Sequence, residues 1–182
     1  RRPPRSTLFP YMTLFRSPGG RIMDIISHGL WARIIFRRKK IPWWTVAFAI
    51  LPDLVAFGPY LALQVLRGGI VSVFAVPEIY PKWVIIVYNL SHSLVIAGLI
   101  FYALLFLHQE LAILFLAWPL HIIIDIPTHS ADCFPTKFLY PLGHLYFAGI
   151  HWRTWFILIG NWGALALTLL IINRYRSDRG EN

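Results

Sequence analysis

Trp118-Pro-Leu-His-Ile-Ile-Ile-Asp-Ile-Pro-Thr-His129 closes a long apolar run, yet it carries His121, Asp125 and His129. His121 and Asp125 stand four apart, which on a helix stacks them on one face, one turn above the other. A histidine and a carboxylate so placed can grip one metal ion, as two histidines do in helical zinc motifs. An ionisable group inside lipid is costly and faces a bundle interior, a cavity or a functional site. A His–Asp hydrogen bond that locks two helices together is the plainer reading, and the pair alone does not separate the two.

The rest of the chain supplies the membrane context. Of its 182 residues, 57% are hydrophobic and 14% charged, and the mean hydropathy is +0.59. Several apolar runs approach or exceed the roughly 20 residues needed to span a bilayer. The expected fold is therefore all-α: a polytopic membrane helix bundle of four full spans plus a short N-terminal helix. The formal charge of +9 gathers at the helix ends, which reads as topology and contact with anionic lipid. No basic face with interleaved aromatics suggests nucleic acid. Cys133 is the single cysteine, so neither an internal disulfide nor a cysteine-rich metal cluster is available.

Around residue 120 the spans order themselves. Residues 1–22 read as a non-native or disordered leader, because Thr7-Leu-Phe9 recurs as Thr13-Leu-Phe15 and no apolar h-region is present. Met23 is the expected start of a membrane-embedded unit that runs to residue 173. Asp24 to Phe36 is a short apolar helix, ending in Arg37-Arg-Lys-Lys40. Ile41 to Leu66 is long enough to cross, although Pro52 and Pro59 interrupt it around Asp53. Trp83 to Leu107 is the next span and holds Asn89-Leu-Ser-His-Ser93. Leu111 to Ile126 carries the opening motif, and Pro127 is expected to stop it. A loop rich in proline, aromatics and histidine leads to the last span, Thr154 to Ile172. Residues 174–182 form a tail with Arg174, Arg176 and Arg179.

Four spans put the basic turn at 37–40 and the tail on one side. The positive-inside rule makes that side the cytoplasm of a bacterial or archaeal cell membrane.

Depth is the useful check on the polar residues. At about 1.5 Å rise per residue, His28 lies roughly 13 Å from Arg37 and Asp53 roughly 18 Å from Ile41. His121 and Asp125 lie roughly 15 and 21 Å from Leu111, and His92 roughly 22 Å from Leu107. Four segments thus send His28, Asp53, His92, His121 and Asp125 into one layer. Each has a plainer role: His28 as a hydrogen-bonded core histidine, Asp53 as a cap beside Pro52, His92 as a bond between helices. Together they offer nitrogen and oxygen donors suited to zinc, and also to manganese or iron. His129, His144 and His151 are candidates for the mouth of such a site.

Four of these stretches share a pattern. Met23-Asp-Ile-Ile-Ser-His-Gly-Leu30, Leu51-Pro-Asp-Leu54, Leu90-Ser-His-Ser-Leu94 and His121-Ile-Ile-Ile-Asp125 resemble, in order and spacing, the YdjM-like family of inner-membrane metal-dependent hydrolases. Phe138-Leu-Tyr-Pro-Leu-Gly143 and Gly149-Ile-His-Trp152 are similar to its closing segment. The resemblance implies a metal-site pattern like that of zinc-dependent phospholipases C, with His28, Asp53, His92, His121 and Asp125 as ligands. Two positions depart from it: Val55 replaces a second acid, and Val87-Tyr-Asn89 replaces a His-Arg-Gly whose arginine would clamp phosphate.

The expected function is a membrane-bound, metal-dependent hydrolase, with zinc foremost as the ion. It would act on a lipid-derived ester or phosphoester through a metal-activated water, with Asp24 or Asp125 as general base. The alternative is a small transporter or ion and proton relay that uses the same cluster. The chain shows no internal repeat of the kind many transporters have.

Overall fold

The computed structural model describes residues 20–37, 42–68, 80–131, 134–152 and 154–179. Residues 1–19 and the 69–79 connection lie outside the described residues. So does most of the stretch read above as a non-native or disordered leader. Among the described residues there are seven helices and no strand. They are α1 (Gly20–Ile35), α2 (Pro42–Gly68), α3 (Lys82–Ser91), α4 (Leu94–Leu107), α5 (Gln109–Phe115), α6 (Ala117–Thr128) and α7 (Trp155–Asp178).

Three stretches are long and apolar enough to cross a membrane: Trp43–Gly68, Gln109–Thr128 and Trp155–Asp178. The α3–α4 pair makes a fourth if its two halves, bent by 51°, count as one span. The Ile25–Ile35 portion of α1 is apolar but short.

α2 is the centre of the bundle and packs against α1, α3, α5 and α6. It runs unbroken through Pro52 and Pro59, where the sequence suggested interruptions. Prolines inside a membrane helix are tolerated when neighbours satisfy the freed backbone groups. Its contacts are made by small residues. Ala32, Ala49 and Ala117 are fully or nearly fully buried and form one cluster, flanked by Phe36 and Phe48. Small side chains let helix backbones approach closely where lipid gives no hydrophobic drive to associate. Gly29 belongs to the same contact: a Cβ there would meet Val46 Cγ1 at 3.2 Å.

Two spans are broken where the sequence reading had them continuous. α3 ends at Ser91, and Ser93 takes an extended conformation as the N-cap of α4, its Oγ accepting from Ile96 N. The first orphan donor of α4, Leu94 N, bonds to Phe138 O at 2.9 Å. The Ser93 hydroxyl itself donates to Tyr140 O. The second break is at Leu116, between α5 and α6. Pro119 lies in the first turn of α6 and has no N–H to give to Phe115, so the preceding helix does not run on through it. Pro127 does not end α6; it sits inside the last turn, and Thr128 is the last helical residue.

The chain between α6 and α7 folds back on the bundle. Gly149 N, Ile150 N and Trp152 N donate to His129 O, Pro127 O and Thr128 O at 3.0, 3.0 and 2.8 Å. A Cβ on Gly149 would stand 2.1 Å from Pro127 O, so only glycine allows this approach. Further back, Phe134 has φ 50 and its ring packs among Phe57, Tyr80 and Tyr88, with centroids 5.0 to 5.2 Å away. α7 contacts α1 alone among the described helices. One polar tie joins them, Trp31 Nε1 donating to Asn161 Oδ1 at 2.8 Å.

Candidate metal centre

Each polar residue enters the centre from a different element. Asp53 follows Pro52 in the middle of α2. His92 is the C-cap of α3, at the break. His121 and Asp125 lie one turn apart on α6, and His28 lies on α1. The described atoms of Asp53, His92, His121 and Asp125 that could ligate an ion all lie within 4.8 Å of one another.

Asp125 is the hub. Its Oδ2 is 3.0 Å from His121 Nε2 and 3.4 Å from His92 Nε2. Its Oδ1 faces the other way, 3.1 Å from His28 Nε2 and 3.7 Å from His129 Nδ1. Asp53 Oδ1 completes the inner group at 3.3 Å from His92 Nε2 and 3.9 Å from His121 Nε2. The two inner histidines meet edge to edge, Nε2 to Nε2, at 3.2 Å.

The outer nitrogens fix the rings. His121 Nδ1 is 2.7 Å from Ala49 O, and His92 Nδ1 is 3.1 Å from Tyr88 O. Ala49 O has no hydrogen to give, so His121 Nδ1 donates; His92 Nδ1 lies between Tyr88 O and, at 3.0 Å, the Ser91 hydroxyl, which can either accept from it or donate to it. When both Nδ1 atoms carry the hydrogens of neutral rings, the two Nε2 lone pairs point at each other across 3.2 Å. Two lone pairs at that distance repel; a cation between them relieves this, as does a proton on one Nε2 shared with Asp125 or Asp53. Backbone carbonyls that accept the far N–H are also the usual way a protein orients a metal-ligating histidine.

The spacings, 3.0 to 3.9 Å between the paired nitrogens and oxygens, bracket those around a small divalent ion. Tetrahedral zinc with bonds of about 2.0–2.1 Å holds its ligand atoms about 3.3–3.5 Å apart. The charges fit as well. His92 and His121 are fully buried and Asp125 is 1% exposed. Two carboxylates in such surroundings are costly without a counter-charge, and one divalent cation neutralises both. Asp53 is the most open member, its side chain 13% exposed.

Around this group stand residues the sequence reading placed otherwise or passed over. His28 packs its ring on His121, centroids 3.9 Å apart, and touches the Asp125 oxygen that faces away from the inner histidines. It is brought to the centre but stands outside the inner four. The Asp24 side chain, expected as a candidate base, lies outside the described residues. His129 is buried and lies against Asp125. His144 is exposed, 6.0 Å from Tyr140 between centroids, and His151 stacks on Trp152. His108 joins α4 to α5 on the exposed surface.

Tyr88 was passed over. Its ring stacks on His92 at 4.0 Å, and its hydroxyl donates to Phe134 O at 3.0 Å while Thr136 Oγ1 lies 3.2 Å away. The signal was its place four residues before His92, one turn away on the same face.

Comparisons with protein-family models, with curated proteins and with solved structures find no match to this chain. The resemblance to YdjM-like hydrolases therefore stands on the short motifs alone.

Proposed function

We propose that Asp53, His92, His121 and Asp125 hold one divalent cation, zinc foremost, in a membrane-embedded hydrolase of lipid-derived esters or phosphoesters. The observation that carries this is the convergence of two Nε2 atoms 3.2 Å apart with carboxylate oxygens of Asp53 and Asp125, all within 4.8 Å of one another. Two nitrogens and two carboxylate oxygens suit zinc, and iron or manganese after it.

When bound, such an ion would lower the pKa of a water to about 7 and supply hydroxide for hydrolysis, the water taking a fifth position or that of Asp53, the most open of the four. The residues of the chain do the rest. His121 and Asp125 form the fixed half, because one helix sets their spacing. His28 Nε2 and His129 Nδ1 hold the back of Asp125. Substrate approaches on the Asp53 side, where the centre is least covered. No arginine or lysine side chain is described against the centre, so a neutral ester is handled as readily as a phosphoester. The same reading gives four crossings, with the basic turn at 37–40 and the tail in the cytoplasm.

A relay of protons or metal ions is the second reading, favoured by the continuous chain of contacts from His129 through Asp125 and His92 to Asp53. One experiment separates the two. Purified protein in phosphatidylcholine vesicles should release fatty acid or headgroup, lose that activity in chelator, and regain it with zinc. Proton or metal flux without hydrolysis would favour the relay and sink the hydrolase.

A further inference from the structure

The segment between α6 and α7 is in the wrong company for a water-exposed loop. From Phe138 to Trp152 it contains no Asp, Glu, Lys or Arg. Its large apolar side chains face outward: Leu142 is 82% exposed, Leu145 61%, Phe147 58% and Ile150 51%. In water, a contiguous uncharged surface of that kind is a liability.

Its backbone is anchored at depth. Phe138 O and Tyr140 O bond to Leu94 N and the Ser93 hydroxyl, at the break between α3 and α4. With the turn at His108 placed at one membrane surface, Leu94 lies about 20 Å along α4 from Leu107. The hydrocarbon layer is about 30 Å thick, so this anchor lies about 10 Å below the opposite surface.

At its two ends the backbone is also provided for as lipid requires. The N–H groups of 142 and 144–148 have no described protein partner, so that stretch of backbone lies at headgroup level with its apolar side chains reaching inward. Non-helical chain at membrane depth survives only when its polar groups are satisfied by protein. Tyr140 N, Gly143 N, Gly149 N, Ile150 N and Trp152 N all have carbonyl partners within 3.1 Å. Tyr146, also exposed, and Trp152 supply the amphipathic rings common at the membrane interface.

We propose that residues 138–150 are a re-entrant segment whose exposed face lies among the acyl chains of the leaflet in which α6 ends and α7 begins. The occupant of that face is lipid hydrocarbon. Between Lys137 and Arg153, which flank it in sequence, a soluble protein partner would meet no Asp, Glu, Lys or Arg, whereas protein interfaces carry polar rims. The placement holds whether or not the centre hydrolyses anything.

The test uses full-length protein with Cys133→Ser, to remove the single native thiol, and Leu145→Cys or, separately, Leu142→Cys. Each is labelled with an environment-sensitive nitrobenzoxadiazole dye and reconstituted in phosphatidylcholine vesicles. Emission should shift to the blue, acyl-chain nitroxide lipids should quench it several-fold, and aqueous iodide should leave it nearly unchanged. Strong iodide quenching at both positions would overturn the proposal. So would protection from both quenchers, which would mean that a second copy or another protein covers the face. Both positions are highly exposed, so neither substitution removes a buried contact.

Discussion

At the scale of single residues, Asp125 and His28 divide the labour of the centre. Asp125 turns one oxygen toward His121 and His92 and the other toward His28 and His129. A group that only holds a ligand in place tunes affinity, and its loss typically costs 10–100-fold. Replacing His28 by alanine should therefore weaken zinc binding by about that factor without abolishing it. Isothermal titration of metal-stripped protein measures this. An unchanged affinity would mean that His28 only fills space; complete loss would place it among the ligands. The residue types and the i, i+4 spacing on α6 were legible from sequence, as was the shared depth of five side chains. The division between inner and outer residues was not. Which oxygen of Asp125 faces which ring depends on helix rotation, and apolar patterning fixes that poorly in a chain that is apolar all round. Tyr88 stayed invisible for a similar reason: an aromatic in a membrane helix carries no signal of its own.

At the scale of elements, the breaks matter more than the helices. His92 reaches the centre because α3 stops beneath it, and α4 restarts with Ser93 as its cap. Serine ahead of an apolar run is a helix-start signal, but hydropathy over 25 residues concealed it here. The continuity of α2 through two prolines went the other way, since proline predicts a break but a packed membrane helix tolerates it. The return of residues 149–152 against 127–129 could not be read from composition, because backbone pairing across twenty residues leaves no local pattern. Its tightest point is Gly149, 2.1 Å from Pro127 O once a Cβ is built. Gly149→Ala should destabilise the protein by about 1–3 kcal/mol, the usual cost of overpacking. Gly163→Ala on α7, where a Cβ meets nothing within 4 Å, should be neutral or stabilising by up to about 1 kcal/mol. Thermal unfolding in detergent compares them; equal midpoints for the two variants would show that the close approach is not made.

At the scale of the whole molecule, a loosely attached last helix and a dense centre suggest different jobs for the two sides of the bundle. α7 meets only α1 among the described helices, whereas α2 carries Asp53 and packs against the helices that carry His28, His121 and Asp125 and against the one that His92 caps. Charge sets the orientation: the basic turn at 37–40 and the arginines after residue 173 should both face the cytoplasm. Reporter fusions after Lys40 and after Arg179 should agree, and opposite readings would mean that the bent α3–α4 pair does not cross as one span. The central claim is that the inner four residues hold a metal ion, and metal analysis of detergent-purified protein addresses it directly. The wild type should carry about one divalent ion per chain, and His121→Ala, which keeps every apolar span, should insert normally and carry almost none. A folded wild type that takes up no divalent ion, or a His121→Ala variant that retains the full complement, would contradict it.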